Sequence, residues 1–178
     1  MIYLEPLAPA HAAPLQPLLE DPAIAETTPF PHPYPQDGAR AYVAESIALR
    51  EAGTKYVYAV CDASGQPVGM ALLKDVDQGK GEGELGYWIG RPYWGRGYAT
   101  AAAADILEFG FATLGLRTIQ AVSMEANPPS LQVLAKLGFV EVGRSMWSLP
   151  KWPAPRPCIA FRLSAEAWLA RDGRSPSG

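Results

Sequence analysis

The residues that first suggest chemistry are Trp94-Gly95-Arg96-Gly97-Tyr98-Ala99, set between a stretch with strand character and one with helical character. Glycine and alanine there let backbone amides approach a ligand with no Cβ in the way. A helix starting at about Gly97 adds unpaired N–H groups and the positive end of its dipole. Together these suit a phosphate or pyrophosphate. The same spacing also suits a tight turn that simply enters a helix. It is neither a Walker loop nor a dinucleotide fingerprint, because the Lys-Ser/Thr pair and a third glycine at the required spacing are missing. Glu82 and Glu84 share strand parity, so a regular strand points both carboxylates to one face. The two histidines and two cysteines are scattered, so no metal is expected. Cys158 has no histidine near it in the sequence and reads as a buried strand thiol.

Those residues need elements to hold them. Proline and glycine are frequent but spread as punctuation, cutting the chain into short pieces. Ile2 to Leu7 reads as a strand. Leucines give 10 to 20 a helical pattern, against which Pro14 and Pro17 would each disrupt an interior turn. Residues 27 to 37 hold four prolines and read as an extended, polyproline-like loop. Asp37 caps a helix to about Glu51, ended by Gly53. Lys55 to Cys61, Val68 to Lys74 and Glu82 to Gly90 form an antiparallel meander with a turn at Asp62-Ala63-Ser64-Gly65. Apolar residues at spacings of three and four, Ile106 to Leu114, make Gly97 to Leu114 a helix closed by Gly115. Arg117 to Met124 is a strand. Asn127 then acts as N-cap with Pro128 at the first helical position, and Gly138 closes that helix. Phe139 to Ser148 and Arg156 to Leu163 are final strands around the loop 150–155. A short helical segment, Ser164 to Ala170, precedes a polar tail, 171–178, expected to be disordered. The fold class is α+β: one domain over 1–170, with a mixed, largely antiparallel sheet flanked by helices.

A second stretch, about thirty residues beyond the glycine turn, gives the first its context. Glu84-Leu85-Gly86-Tyr87-Trp88-Ile89, Trp94 to Ala99, and Asn127 to Phe139 resemble, in order, the motifs of the GCN5-related N-acetyltransferase (GNAT) family. Within that family the chain resembles the RimJ/RimL branch, whose named members acetylate the N-termini of ribosomal proteins. The proline-rich run Pro29 to Tyr34 is similar to a segment of that branch. The resemblance implies acetyl-CoA in a V-shaped opening between the strand ending at Ile89 and the strand beginning near Ile119. It places the pantetheine arm along Trp88, Ile89 and Gly90, and the pyrophosphate on amides of Gly95, Arg96, Gly97, Tyr98, Ala99 and Thr100. Trp94 departs from the usual Gln or Arg, and Arg96 is either a substitute charge or a solvated arginine. Asn127 matches a pantetheine contact and Ser130 a residue near the sulfur. Glu84 is the implied base, with Glu82 as alternative; either is otherwise a solvated edge charge. The tyrosine acid of many members is replaced by Leu134, which leaves Ser130 to hydrogen-bond the thiolate. Phe30, His32 and Tyr34 belong to the loop that lines the acceptor pocket in this branch.

Composition narrows the partners. Eighteen acidic against fifteen basic residues give a net charge of −3, with no basic excess for duplex nucleic acid. No apolar run approaches the ~18 residues of a membrane span. The N-terminus does not read as a secretion signal, so a cytoplasmic protein with reduced thiols is expected. The expected activity is acetyl transfer from acetyl-CoA to a primary amine, favouring a protein or peptide N-terminus, by a monomer or homodimer. A small-amine acetyltransferase and a non-catalytic CoA-binding module are the alternatives.

Overall fold

The meander expected from Lys55 to Gly90 forms the centre of a seven-stranded sheet in the computed structural model of the chain, which describes residues 1–171. Strands β1 (Ile2–Pro6), β2 (Tyr56–Asp62), β3 (Pro67–Asp77) and β4 (Glu82–Ile89) pair antiparallel in sequence order. β5 (Thr118–Met124) joins β4 in parallel, and β7 (Arg156–Ser164) and β6 (Val140–Trp147) continue antiparallel. The β4–β5 ladder covers only four pairs, Glu82↔Thr118 to Leu85↔Ala121. Beyond them, Gly86 to Ile89 and Val122 to Met124 diverge. β3 and β7 hold the outer sides of both strands along their length, so the sheet splits open at its middle.

Alternation along β4 assigns its side chains to two faces. Leu85 and Ile89 join the core under α4 (Tyr98–Glu108) and α5 (Pro128–Lys136), with Ile106, Leu107, Ile119 and Leu134 fully buried. Trp88 joins a second core under α1 (Ala12–Leu19), α2 (Pro22–Thr27) and α3 (Gly38–Glu51). Single strands thus carry residues for both chambers.

Several expectations are corrected. α1 forms despite its prolines. Pro14 lies in the first turn, where no intrahelical donor is lost, and the fully buried Leu15 and Leu19 contribute roughly 1.5–3 kcal/mol each. That offsets the ~3 kcal/mol cost of Pro17. α2 was not anticipated; it starts at Pro22 with the Asp21 carboxylate accepting from Ala23 N–H. The segment 27–37 is not one polyproline-like run: Thr27 ends α2, the His32–Pro33 peptide is cis, and Tyr34 turns back into the core. Asp37 precedes α3 but its side chain caps nothing; Gln16 of α1 accepts from Ala39 N–H instead, at 3.0 Å. The helix after Gly97 is α-helical to Glu108 and continues as a wider π turn over Phe109–Thr113. Arg171 belongs to α6 (Ala165–Arg171), and the rest of the expected tail lies outside the described residues.

Candidate active site

A cavity of about 730 Å³ opens where β4 and β5 part, and it is lined from both faces of the sheet. On the α4–α5 side, the turn before α4 holds Gly95 at φ +74° and Gly97 at φ +75°, backbone that favours glycine. An added Cβ at either would meet nothing within 4 Å, so the turn is open to a ligand. Tyr98, Ala99 and Thr100 form the first turn of α4, whose N–H groups precede any intrahelical acceptor. Gly95, Gly97, Tyr98, Ala99 and Thr100 all line the cavity. Arg96 does not: it folds back onto the Pro92 carbonyl and the Tyr93 ring, the solvated alternative. Trp94, half exposed, donates its indole N–H to the Ile89 carbonyl at 2.5 Å. Gly90 is also outside the lining, because its N–H bonds Val68 in the β3 ladder and its Cα packs on Leu18. Of the three residues expected along the pantetheine arm, Trp88 and Ile89 line the cavity.

Asn127 caps α5 as expected, accepting from Ser130 N–H at 3.4 Å. Ser130 Oγ lies 3.0 Å from the Tyr87 hydroxyl, whose single proton has that Oγ and the Ser130 carbonyl, at 3.3 Å, as alternative acceptors. Tyr87 was not among the expected residues. Burial pushes its phenol up to about 12, with the Ser130 hydrogen bond opposing, so it stays protonated. Its parity, opposite to Glu84 on β4, was the available signal. Leu134, at the place of the absent tyrosine, is fully buried.

On the α1–α3 side, Glu84 lines the cavity, with its Oε1 2.9 Å from Lys74 Nζ. The two are cross-strand partners, so the hairpin register itself makes the pair. Glu82, two residues earlier on the same strand face, does not line the cavity. Phe30 lines the cavity, whereas His32 is exposed on the loop and Tyr34 packs beneath it against Phe30. Lys151 was also missed. Its ammonium donates to the carbonyls of Ala25, Thr28 and Phe30, fastening the proline-rich loop to the β6–β7 loop. Cys158 lines the cavity, but burial raises its thiol pKa, which suits an inert strand cysteine.

One group could be mistaken for a metal centre. Glu5, His11 and Cys61 bring their ligand atoms within 4.8 Å of one another. Ala8 N–H donates to His11 Nδ1, which puts the ring proton on Nε2, facing Glu5 at 3.0 Å. Ligation through Nε2 would need that proton on Nδ1, where Ala8 already points. Burial also raises the Cys61 thiol to about 11. His11 and Glu5 are thus a hydrogen-bonded pair with the buried Cys61 beside it.

A helix N-terminus on one face and a carboxylate on the other thus meet at one cavity where the sheet splits. Residues 2–140 match the acetyltransferase (GNAT) domain family, and the chain belongs to that family. It is 36% identical over 76 residues to the uncharacterized N-acetyltransferase p20 of Bacillus licheniformis, 43% of each chain. The match thus spans less than half of that relative. The spermidine N-acetyltransferase of Vibrio cholerae, solved with CoA and spermine, superposes with TM-score 0.83 at 19% identity, covering 94% of this chain and 98% of that one. The ribosomal-protein-S5-alanine acetyltransferase of Vibrio fischeri gives 0.79 at 20% identity, covering 94% and 93%. The fold is the GNAT fold, a single domain on a mostly antiparallel, split sheet. Among the described residues no helix is long and apolar enough to cross a membrane.

Proposed function

We propose that the protein transfers the acetyl group of acetyl-CoA to a primary amine within a ternary complex, and that the acceptor is the N-terminal α-amine of a protein or peptide. The observation that carries this reading is the split between β4 and β5, which connects the α4 N-terminus on one face with Glu84 on the other. The pyrophosphate rests on the amides from Gly95 to Thr100, and the pantetheine arm enters the split beside Trp88 and Ile89. The amine nitrogen attacks the thioester carbonyl; a C–N bond forms and the C–S bond breaks. Glu84, directly or through water, takes the amine proton, a role typically worth about 10²- to 10⁴-fold. Its Oε2 is free to do so, since Lys74 holds Oε1. Ser130, set by Asn127 and Tyr87, donates to the departing thiolate.

A polyamine acceptor is the second reading, favoured by the spermidine enzymes among the relatives and structural neighbours. The deciding assay is acetyl-CoA-dependent thiol release against peptides with varied N-termini, polyamines, amino acids and aminoglycosides. Turnover of peptides supports the first reading, and turnover confined to small amines replaces the acceptor. CoA binding without thiol release from any amine leaves a non-catalytic module.

A further inference from the structure

The acceptor side is poorly furnished for a polycation. Among the described residues, the charged side chains lining the cavity are Glu84, Lys74 and Lys55, and Glu84 is already bonded to Lys74. Lys55 lies 4.4 Å over the Tyr42 ring, balanced by Glu45 and Asp75, neither of which lines the cavity. An acceptor with two or three ammonium groups would meet one engaged carboxylate and two like charges.

What the acceptor side offers instead is a fixed aromatic wall. Phe30 makes edge contacts with Tyr34, Tyr42 and Trp88 at ring separations of 5.9, 5.4 and 6.0 Å. The Lys151 ammonium holds this loop by three carbonyls, and Trp152, the next residue, also lines the cavity. Edge-packed rings clamped in this way present a rigid apolar surface.

Two donors within this wall are unspent. Trp88, 6% exposed, and Trp152 both line the cavity, and the indole N–H of each is buried without a hydrogen-bond partner. Buried donors left unpaired are costly, and a ligand that brings an acceptor oxygen removes that cost. A protonated polyamine has no such oxygen. An α-amino acyl group carries a carbonyl one carbon away from its amine.

We infer that the acceptor is an α-amino carbonyl compound with a large apolar, above all aromatic, side chain. Its amine faces Glu84, its side chain packs on the Phe30–Trp88 wall, and its carbonyl accepts from an indole N–H. A peptide N-terminus and a free amino acid both present this chemistry. The inference rests on the transferase reading and narrows it.

The test compares kcat/KM for a phenylalanyl peptide, an alanyl peptide, free phenylalanine, phenethylamine and spermidine, by thiol release. The phenylalanyl peptide is expected to exceed the alanyl peptide by about tenfold or more, the worth of burying a large apolar side chain. Spermidine is expected to be the poorest acceptor. Free phenylalanine matching the peptide assigns the small-molecule source, and a peptide preference assigns the polypeptide source; both support the class. Trp88→Phe keeps the ring and removes the donor, and is expected to lower the phenylalanyl peptide about fivefold more than phenethylamine, which has no carbonyl. Trp152→Phe repeats the comparison should Trp88→Phe melt below the wild type. Equal losses for both acceptors in both variants, equal rates for phenylalanyl and alanyl peptides, or spermidine as the best acceptor would each overturn the inference while leaving the transferase standing. Absence of turnover with every amine, while CoA still raises the Tm, would instead remove the transferase reading beneath it.

Discussion

On the α4–α5 side of the split the cavity is lined by the turn at Gly95, whose glycines leave main-chain amides open, and by the first turns of two helices; on the α1–α3 side it is lined by residues of α2, the proline-rich loop, α3, β4 and the β6–β7 loop. Main-chain amides recognise a diphosphate whatever side chains surround them, so the donor side needs only a short local stretch with the right backbone angles. The acceptor side needs side chains brought together across 121 to 126 residues by the Lys151 clamp. Recognition by backbone fixes the donor, and recognition by side chains leaves the acceptor free to differ between proteins of one fold.

The largest expected effect separates the two sides through chemistry. Glu84→Gln should lower kcat by about 10²-fold or more while the Kd for CoA, read by calorimetry, stays near the wild-type value. Weakened CoA binding in this variant would mean that the sides are not independent. Next, Gly97→Ala forces a Cβ into left-handed backbone, where roughly 1–2 kcal/mol of strain is expected. CoA should bind about tenfold more weakly, with the acceptor KM little changed in steady-state assays.

A smaller effect comes from the clamp. Lys151→Met removes three charge-assisted bonds from a partly buried ammonium, so the Tm should fall by about 3–6 °C. The acceptor KM should rise several-fold with CoA affinity retained. An unchanged acceptor KM would show that the loop does not shape that side.

The finest distinction uses one tyrosine on each side. Burial raises Tyr87 and Tyr42 each to about 12, against 10 when unfolded. Folded phenols therefore hold their protons more tightly, so this contribution to stability is full below about pH 10 and is lost as the pH rises to about 12. In an absorbance titration at alkaline pH, Tyr87→Phe should lose one phenol's amplitude from the late step. CoA should perturb the Tyr87 portion and an acceptor analogue the Tyr42 portion.

The donor side was legible because its signals are local. Two glycines before a helix, and an Asn-Pro cap three residues ahead of Ser130, can be read within a few positions. The split sheet came from the family resemblance, and the ladder that stops at Leu85 bears it out. On the other side, of the residues singled out from the sequence, Glu84 and Phe30 line the cavity. Lys74 required the β3–β4 register, which a bulge between Lys74 and Asp77 shifts away from simple counting. Tyr87 and Ser130 meet across 43 residues and Lys151 reaches back over more than a hundred, distances at which periodicity says nothing. α1 was obscured because proline's local cost is visible in the sequence and the burial that offsets it is not.

The parting of β4 from β5 has a bearing on solubility. A sheet edge with free amides and carbonyls is a template on which other chains can add a strand, and proteins blunt such edges or hide them. The outer edge strand β6 is blunted: it exposes Val140, Val142 and Met146 but carries a bulge between Glu141 and Gly143, and Arg144 is ion-paired to Glu141 and Glu125. The two edges made by the split are hidden, because they face each other inside the molecule and close to a fully paired ladder at Leu85. The split thus turns two strand edges toward a cavity instead of toward neighbouring chains.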